Sequence, residues 1–361
     1  MLEPDGGRTP IIQTALGTRH RDVSRLSTAC RPRSQGWLYT LAVSRSALRN
    51  AADQTAPRLI RHFLSVADMS ADAILHLLER ALDLKRSGDS QRPLAGLTAA
   101  LVFQKPSLRT RVSFEVAMLQ LGGSAVYLSP AEVQLGQREG AVDVSRVLSR
   151  YIDVIVARVF LHSDVVALAE NATVPVINAL SDREHPCQIL ADLLTLYERR
   201  GSLQGVRLAY VGDGNNVAHS LALAAPGLGI DLRFACPDGY EPDPTIMDQA
   251  QAGAPAGAIE LFRDPREAVS GADAVYTDAW YSMGQESEAE ARAPIFRRYQ
   301  INDELLSLAA PGAIAMHCLP AHRNQEITDS VMDGPASAVY DQAENRLHVQ
   351  KALLLNLLGQ D

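Results

Sequence analysis

From about residue 70 to its C-terminus, this chain alternates short apolar runs with longer stretches of helical periodicity, and few folds accommodate that pattern. Ser70 is placed to cap a helix through Arg86, with Ile74, Leu75, Leu78, Ala81 and Leu82 on one face and Gly88 after it. Thr98 to Phe103 reads as a buried strand, Ser107 to Leu121 as a helix stopped by Gly122-Gly123, and Ala125 to Leu128 as a strand. A helix over Ala141 to Tyr151, a strand over Val154 to Val159, a helix over Asp164 to Glu170 and a strand over Val174 to Ile177 follow. After a long helix near 186–200 the pattern restarts, with strands at Val206 to Val211, Leu232 to Ala235, Ile259 to Phe262, Ala274 to Thr277 and Ala313 to Met316, and a helix at Asn216 to Ala224. Strands alternating with helices imply parallel sheets covered on both faces. The expected fold is therefore α/β, two doubly wound domains, each a parallel sheet flanked by helices. A final apolar helix at about 345–358 can pack on either domain.

Length and composition agree with this. The 361 residues suit two domains, and 47% apolar with 21% charged residues is ordinary for a globular chain. No run approaches the roughly 18 apolar residues of a membrane span. The formal net charge is −8, divided into +4 over residues 1–57 and −12 over the remainder. An acidic body without a long basic run argues against nucleic-acid binding. Cys30, Cys187, Cys236 and Cys318 lie far apart with no metal-ligand spacing, which points to a reducing compartment and to no structural metal.

Residues 1–57 contain eight Arg, no Lys and four acids, and show no sustained periodicity. Arg-rich, Ser-bearing and acid-poor composition is that of a mitochondrial transit peptide. The plainer expectation is a disordered or non-native N-terminal extension. With three Lys against 31 Arg in the whole chain, GC-rich coding explains the Arg content without any targeting role.

In open parallel sheets, ligands bind beyond the carboxyl ends of the strands, so the residues that each strand delivers there are the informative ones. After Phe103 come Ser107-Leu108-Arg109-Thr110-Arg111, two hydroxyls and two guanidiniums at a helix start, where free N–H groups already favour anions. The strand ending near Val156 delivers Arg158. His185, before Pro186-Cys187-Gln188, projects from a helix N-terminus that favours neutral imidazole. Gly212-Asp213-Gly214-Asn215-Asn216-Val217 has the opening of a dinucleotide fingerprint but carries Val217 at the third glycine position; Asn216 is suited to a polar substrate. Asp278, after Thr277, suits an ammonium group. His317-Cys318 suggests a thiol nucleophile, yet neighbouring side chains on a strand point to opposite faces, the wrong geometry for base activation.

In combination, Ser107-Leu108-Arg109-Thr110-Arg111, His185-Pro186-Cys187-Gln188, Asp278 with Ser282-Met283-Gly284, and His317-Cys318-Leu319-Pro320 resemble the ornithine carbamoyltransferases of the aspartate/ornithine carbamoyltransferase family over about residues 58–361. The resemblance implies a carbamoyl-phosphate-binding domain at 58–195, an ornithine-binding domain at 196–340, and a C-terminal helix at 341–361 returning to the first domain. It implies carbamoyl phosphate held by Ser107, the Leu108 backbone, Arg109, Thr110, Gln134 (lent to a neighbouring subunit), Arg158, His185, Gln188, Cys318, Leu319 and Arg346. It implies ornithine held by Asn216, Asp278, Ser282 and Met283, with Arg158, His185, Cys318 and Asp278 closest to the chemistry. No cofactor or metal, a homotrimer or a multiple of trimers, and a cytoplasmic location are further implications; the mitochondrial matrix applies if the source is eukaryotic. The family's usual motif has Thr where Leu108 stands, and some members, carbamoyltransferases for acylated ornithines among them, resemble this chain in carrying Leu there. Acylated ornithine or putrescine as acceptor, an oxidoreductase using Gly212 to Ser220, and a non-catalytic paralogue are the competing readings.

Overall fold

The computed structural model describes residues 61–87, 91–136, 138–252, 254–255, 257–281 and 286–360. The segment 1–57, Gly88 and the Ser282-Met283-Gly284 motif lie outside them. Nine strands are described: β1 Thr98–Phe103, β2 Ser124–Leu128, β3 Val154–Arg158, β4 Val176–Leu180, β5 Arg207–Val211, β6 Asp231–Ala235, β7 Ile259–Phe262, β8 Ala274–Thr277 and β9 Ile314–His317. Described helices of eight or more residues are α1 Ala71–Ser87, α2 Leu108–Gln120, α3 Ala141–Leu148, α4 His162–Asn171, α5 Pro186–Arg200, α6 Asn216–Ala224, α7 Pro244–Gln251, α8 Ala289–Phe296 and α9 Val339–Leu358.

The strands form two parallel sheets, ordered β2-β1-β3-β4 and β7-β6-β5-β8-β9. Both faces of each sheet are covered, which is why β1, β3 and β5 read as nearly continuous apolar runs (Leu101, Val102, Phe103; Val154, Ile155, Val156; Leu208, Ala209, Tyr210). The largest apolar cluster runs from one sheet to the other through α5 and α9, joining Leu101 and Phe114 to Leu193, Leu208, Tyr276 and Leu354. Smaller clusters cover the outer faces, one around Val102, Ile155 and Val165, the other around Val211, Val275 and Val331. The C-terminal helix α9 packs along α5, α1 and α2 and so returns to the first sheet.

Several expected boundaries move for physical reasons. β4 begins at Val176 instead of Val174, because Pro175 has no N–H to donate; Asn178 is thereby drawn into the strand, where its side chain bonds the Leu64 carbonyl at 2.9 Å. α3 ends at Leu148 instead of Tyr151, where Ser149 N–H is shared between Ser145 and Val147 carbonyls and the chain tightens into a turn. β9 extends to His317, which pairs with Thr277. α9 starts at Val339, six residues before the expected 345, because its first turns bury polar Gln342 and Asn345, which an apolar period does not register.

Candidate active site

In each sheet, successive connections run to opposite sides at one point, between β1 and β3 and between β5 and β8, and the cleft opens beyond those strand ends. Phe103 and Arg158 are register partners, and Gln104 N–H donates to the Arg158 carbonyl at 2.8 Å, so the loop into α2 runs beside the Arg158 side chain. Ser107 caps α2, its Oγ accepting from Thr110 N–H at 3.2 Å. Its own O–H is left to donate outward, beside the first-turn N–H groups of Leu108 and Arg109 that no intrahelical carbonyl can reach. Leu108 itself is 76% exposed, and as the first helical residue its N–H has no intrahelical carbonyl to meet.

Arg346, buried on α9, reaches the same turn: its guanidinium donates to Thr110 Oγ1 at 2.7 Å and to Gln188 Oε1 at 2.5 Å. Both partners are neutral, so its charge is not cancelled. Arg158, also buried, has its Nε without a partner among the described residues. Burial, then Arg346 and Arg109, push the Arg158 pKa down to about 9, still cationic at neutral pH. His185 caps α5 and its N–H donates to Ser220 Oγ at 3.0 Å. Burial first, then Arg346, Arg158 and Arg109, hold its imidazole well below the usual histidine range. His185 is thus a neutral imidazole with Nδ1 unpartnered among the described residues. Arg109 and Arg346, both close enough to depress Arg158, form with it a site for an anion.

The second sheet supplies the opposite charge. Asp278 follows β8; its carboxylate accepts from Asn215 Nδ2 at 2.7 Å, Ala279 N–H at 2.8 Å and the Cys318 thiol at 2.8 Å. Asn215 caps α6 through Val217 and Ala218 N–H, while Asn216 turns its amide to the Ser181 carbonyl at 2.7 Å and so bridges the two halves. Burial and Asp278 raise the Cys318 thiol well above its ordinary pKa, so it is a hydrogen-bond donor and no thiolate. His317 does not serve it: the imidazole accepts from Leu319 N–H at 2.8 Å and meets the buried Glu326 at 3.1 Å. Leu319 sits at φ 61° before a cis proline, and with its N–H committed only its carbonyl is left for a ligand. Asp278, His317 and Cys318 bring ligand-type atoms within 4.8 Å of one another, but both His317 nitrogens are engaged, leaving fewer donors than a four-coordinate ion requires. The two halves meet where Asn216 reaches the Ser181 carbonyl, with the Arg109 guanidinium within the electrostatic reach of Cys318 and Asp278.

Not every expected residue joins this cluster. Gln134 is exposed, in a left-handed conformation (φ 38°) after a short helix, and stands outside it. Ser282 and Met283 lie outside the described residues. The opening of the dinucleotide fingerprint is occupied by packing: a Cβ on Gly214 would lie 2.2 Å from the Pro242 nitrogen, and Val217 is buried. Sequence reasoning missed Asn215, Asp192, Tyr276 and Gln342. An Asn directly before a helix start was a visible cap signal for the first; the others are polar groups at positions where an α/β core is expected to be apolar.

Residues 61–198 match the model for the aspartate/ornithine carbamoyltransferase carbamoyl-P binding domain, and residues 204–357 that for the Asp/Orn binding domain. This chain belongs to the aspartate/ornithine carbamoyltransferase family. It is 53% identical over 304 residues to a Pyrococcus furiosus protein named anabolic ornithine carbamoyltransferase, covering 83% of this chain and 96% of that one. It is 54% identical over 302 residues to an ornithine carbamoyltransferase of Methanothermobacter thermautotrophicus, covering 83% and 99%. The solved structure of the Pyrococcus furiosus enzyme superposes with a TM-score of 0.80 at 52% identity, covering 83% of this chain and 98% of that one.

Proposed function

We propose that this chain transfers the carbamoyl group of carbamoyl phosphate to the δ-amine of L-ornithine, giving L-citrulline and phosphate. The observation that carries the reading is a cleft with a guanidinium cluster around a helix N-terminus on one side and the Asp278–Cys318–Asn215 group on the other. The phosphate is cradled by Ser107, the backbone at Leu108, Arg109 and Thr110, with Arg158; the carbamoyl group lies against Thr110, Arg158, His185, Gln188, Arg346 and the Leu319 carbonyl. Ornithine lies against Asn216 and Asp278, with Ser282 and Met283.

The neutral δ-amine attacks the carbonyl carbon, the bond from carbon to the phosphate oxygen breaks, and the amine's proton leaves with the phosphate. Arg158, Thr110 and neutral His185 donate to the oxyanion formed on the way. Each such donor contributes about 2.7–4 kcal/mol, and holding two small substrates in register about 7–11 kcal/mol. Positioning therefore contributes more than any single donor, consistent with a thiol kept protonated and no covalent intermediate. The carbamoyl-phosphate portion is assigned to 58–195, the ornithine portion to 196–340, and the returning helix to 341–361.

The assembly in this reading is a trimer with sites shared between subunits. Leu108, Val112 and Leu119 form an exposed apolar stripe along α2, and Gln134 is exposed as well. Mixing inactive Gln134→Ala with inactive Arg109→Ala should restore activity by subunit exchange; no recovery would count against shared sites. A cytoplasmic location is supported by the three cysteines among the described residues, Cys187, Cys236 and Cys318, all free and buried; no described helix is long and apolar enough to cross a membrane. The direct test is phosphate release from carbamoyl phosphate: it should depend on ornithine and match citrulline one to one. Release independent of any amine would reduce the protein to a phosphatase.

A further inference from the structure

We propose that Asp192, fully buried on α5, is a positioning residue that sets the orientation of the Gln188 amide and thereby of Arg346, and that it ties both substrate halves to one point. The inference rests on the reading above, in which Gln188 and Arg346 hold the carbamoyl group. Gln188 Oε1 accepts from Arg346 at 2.5 Å while its Nε2 donates to Asp192 Oδ1 at 2.8 Å. Because Asp192 Oδ1 acts as an acceptor, Gln188 must present its nitrogen there and its oxygen to the guanidinium. The flipped amide would set donor against donor at Arg346 and acceptor against acceptor at Asp192, so Asp192 holds the amide from the side that Arg346 does not reach.

The same carboxylate reaches further. Oδ1 also accepts from Gln342 Nε2 at 2.7 Å, and Gln342 Oε1 accepts from His317 N–H at 2.9 Å, next to Cys318. Oδ2 accepts from the Tyr276 hydroxyl at 2.8 Å, two residues before Asp278. Burial raises this carboxyl to about 7, against three hydrogen bonds that lower it. A proton, when present, belongs on Oδ2 facing Tyr276, whose hydroxyl oxygen then accepts, so Oδ1 remains an acceptor in either state. Along α5, Gln188, Asp192 and Thr195 bond Arg346, Gln342 and Asn345 of α9. This buried polar seam fixes the register of the helix that carries Arg346.

The test uses the full chain and compares Asp192→Leu, Asp192→Asn, Gln188→Ala and the double variant Asp192→Leu/Gln188→Ala. Asp192→Leu should lower kcat about 100-fold, the scale of a misplaced group in a positioned site, while the affinity for inorganic phosphate, measured by calorimetry, stays unchanged. Asp192→Asn keeps an acceptor toward Gln188 and should recover most of the loss. The double variant should be no worse than Gln188→Ala. Equal losses in Asp192→Leu and Asp192→Asn, a parallel fall in phosphate affinity, or multiplying losses in the double variant would overturn the proposal. Normal turnover by Asp192→Leu beside a crippled Gln188→Ala would overturn the positioning role alone; normal turnover by Gln188→Ala would remove the substrate assignment beneath it. Should Asp192→Leu fail to fold, Asp192→Ser, too short to reach Gln188, carries the same comparison.

Discussion

Beyond β1 and β3 the cleft gathers the guanidiniums of Arg109, Arg158 and Arg346; beyond β5 and β8 it gathers Asp278, Asn215 and the Cys318 thiol. The supporting architecture is the same, a parallel sheet with a reversal of connection and a helix starting at the opening. The charges are opposite, and so is the way each half is stabilised. The cationic side leaves its guanidiniums pressed on one another and on His185, a repulsion that a bound anion relieves. The anionic side is already satisfied internally, with Asp278 accepting from an amide, a backbone N–H and a thiol before any ligand arrives. The first half is thus suited to capturing an anion, while the second presents a carboxylate already held in place.

The largest expected effect is on the cationic side. Arg109→Ala should cut kcat/KM for carbamoyl phosphate by roughly 100- to 1000-fold, the scale of a lost preorganised charged donor, with the ornithine KM little changed; equal damage to both substrates would erase the division of labour. Next, Asp278→Asn keeps the shape and loses the charge, and should raise the ornithine KM by about 10- to 100-fold, from a charged hydrogen bond of about 1.5–3 kcal/mol. An unchanged ornithine KM would remove Asp278 from the amine side. Cys318→Ser replaces one donor by another and should cost no more than about tenfold in kcat; a loss of several thousandfold would revive a covalent thiol.

The smallest effect is on pH dependence. His185 is harder to protonate in the folded chain than in the unfolded one. As pH falls below about 6.5 the unfolded chain takes up the proton first, so stability that is complete above that pH declines below it. His185→Asn should flatten that part of the acid-side slope in chemical denaturation between about pH 7 and pH 5. An unchanged slope would mean that His185 titrates normally.

The two halves were not equally legible in the sequence. The anion side announced itself because Ser107, Arg109, Thr110 and Arg111 crowd one helix turn after a strand, and their chemistry needs no partner from elsewhere to be read. Arg346 has no such context; it comes from the last helix, 236 residues beyond Thr110, and only packing brings it home. Asp192, Tyr276 and Gln342 were hidden for a related reason: each occupies a core position whose polarity makes sense only beside the others. The early start of α9 was missed with them, since its polar face is the buried one. His317 was read beside Cys318 as a nearest neighbour, but its partner is Glu326, nine residues on and across a turn.

The most direct measurement is carbamoyl transfer from carbamoyl phosphate with ornithine, N-acetylornithine, putrescine and aspartate assayed in parallel. Turnover with ornithine, and little with the other three, is the predicted result, and it would make Leu108 a harmless replacement in the phosphate cradle. Turnover with another amine and none with ornithine would contradict the account of the Asp278 side while leaving the guanidinium side intact; silence with all four would contradict both.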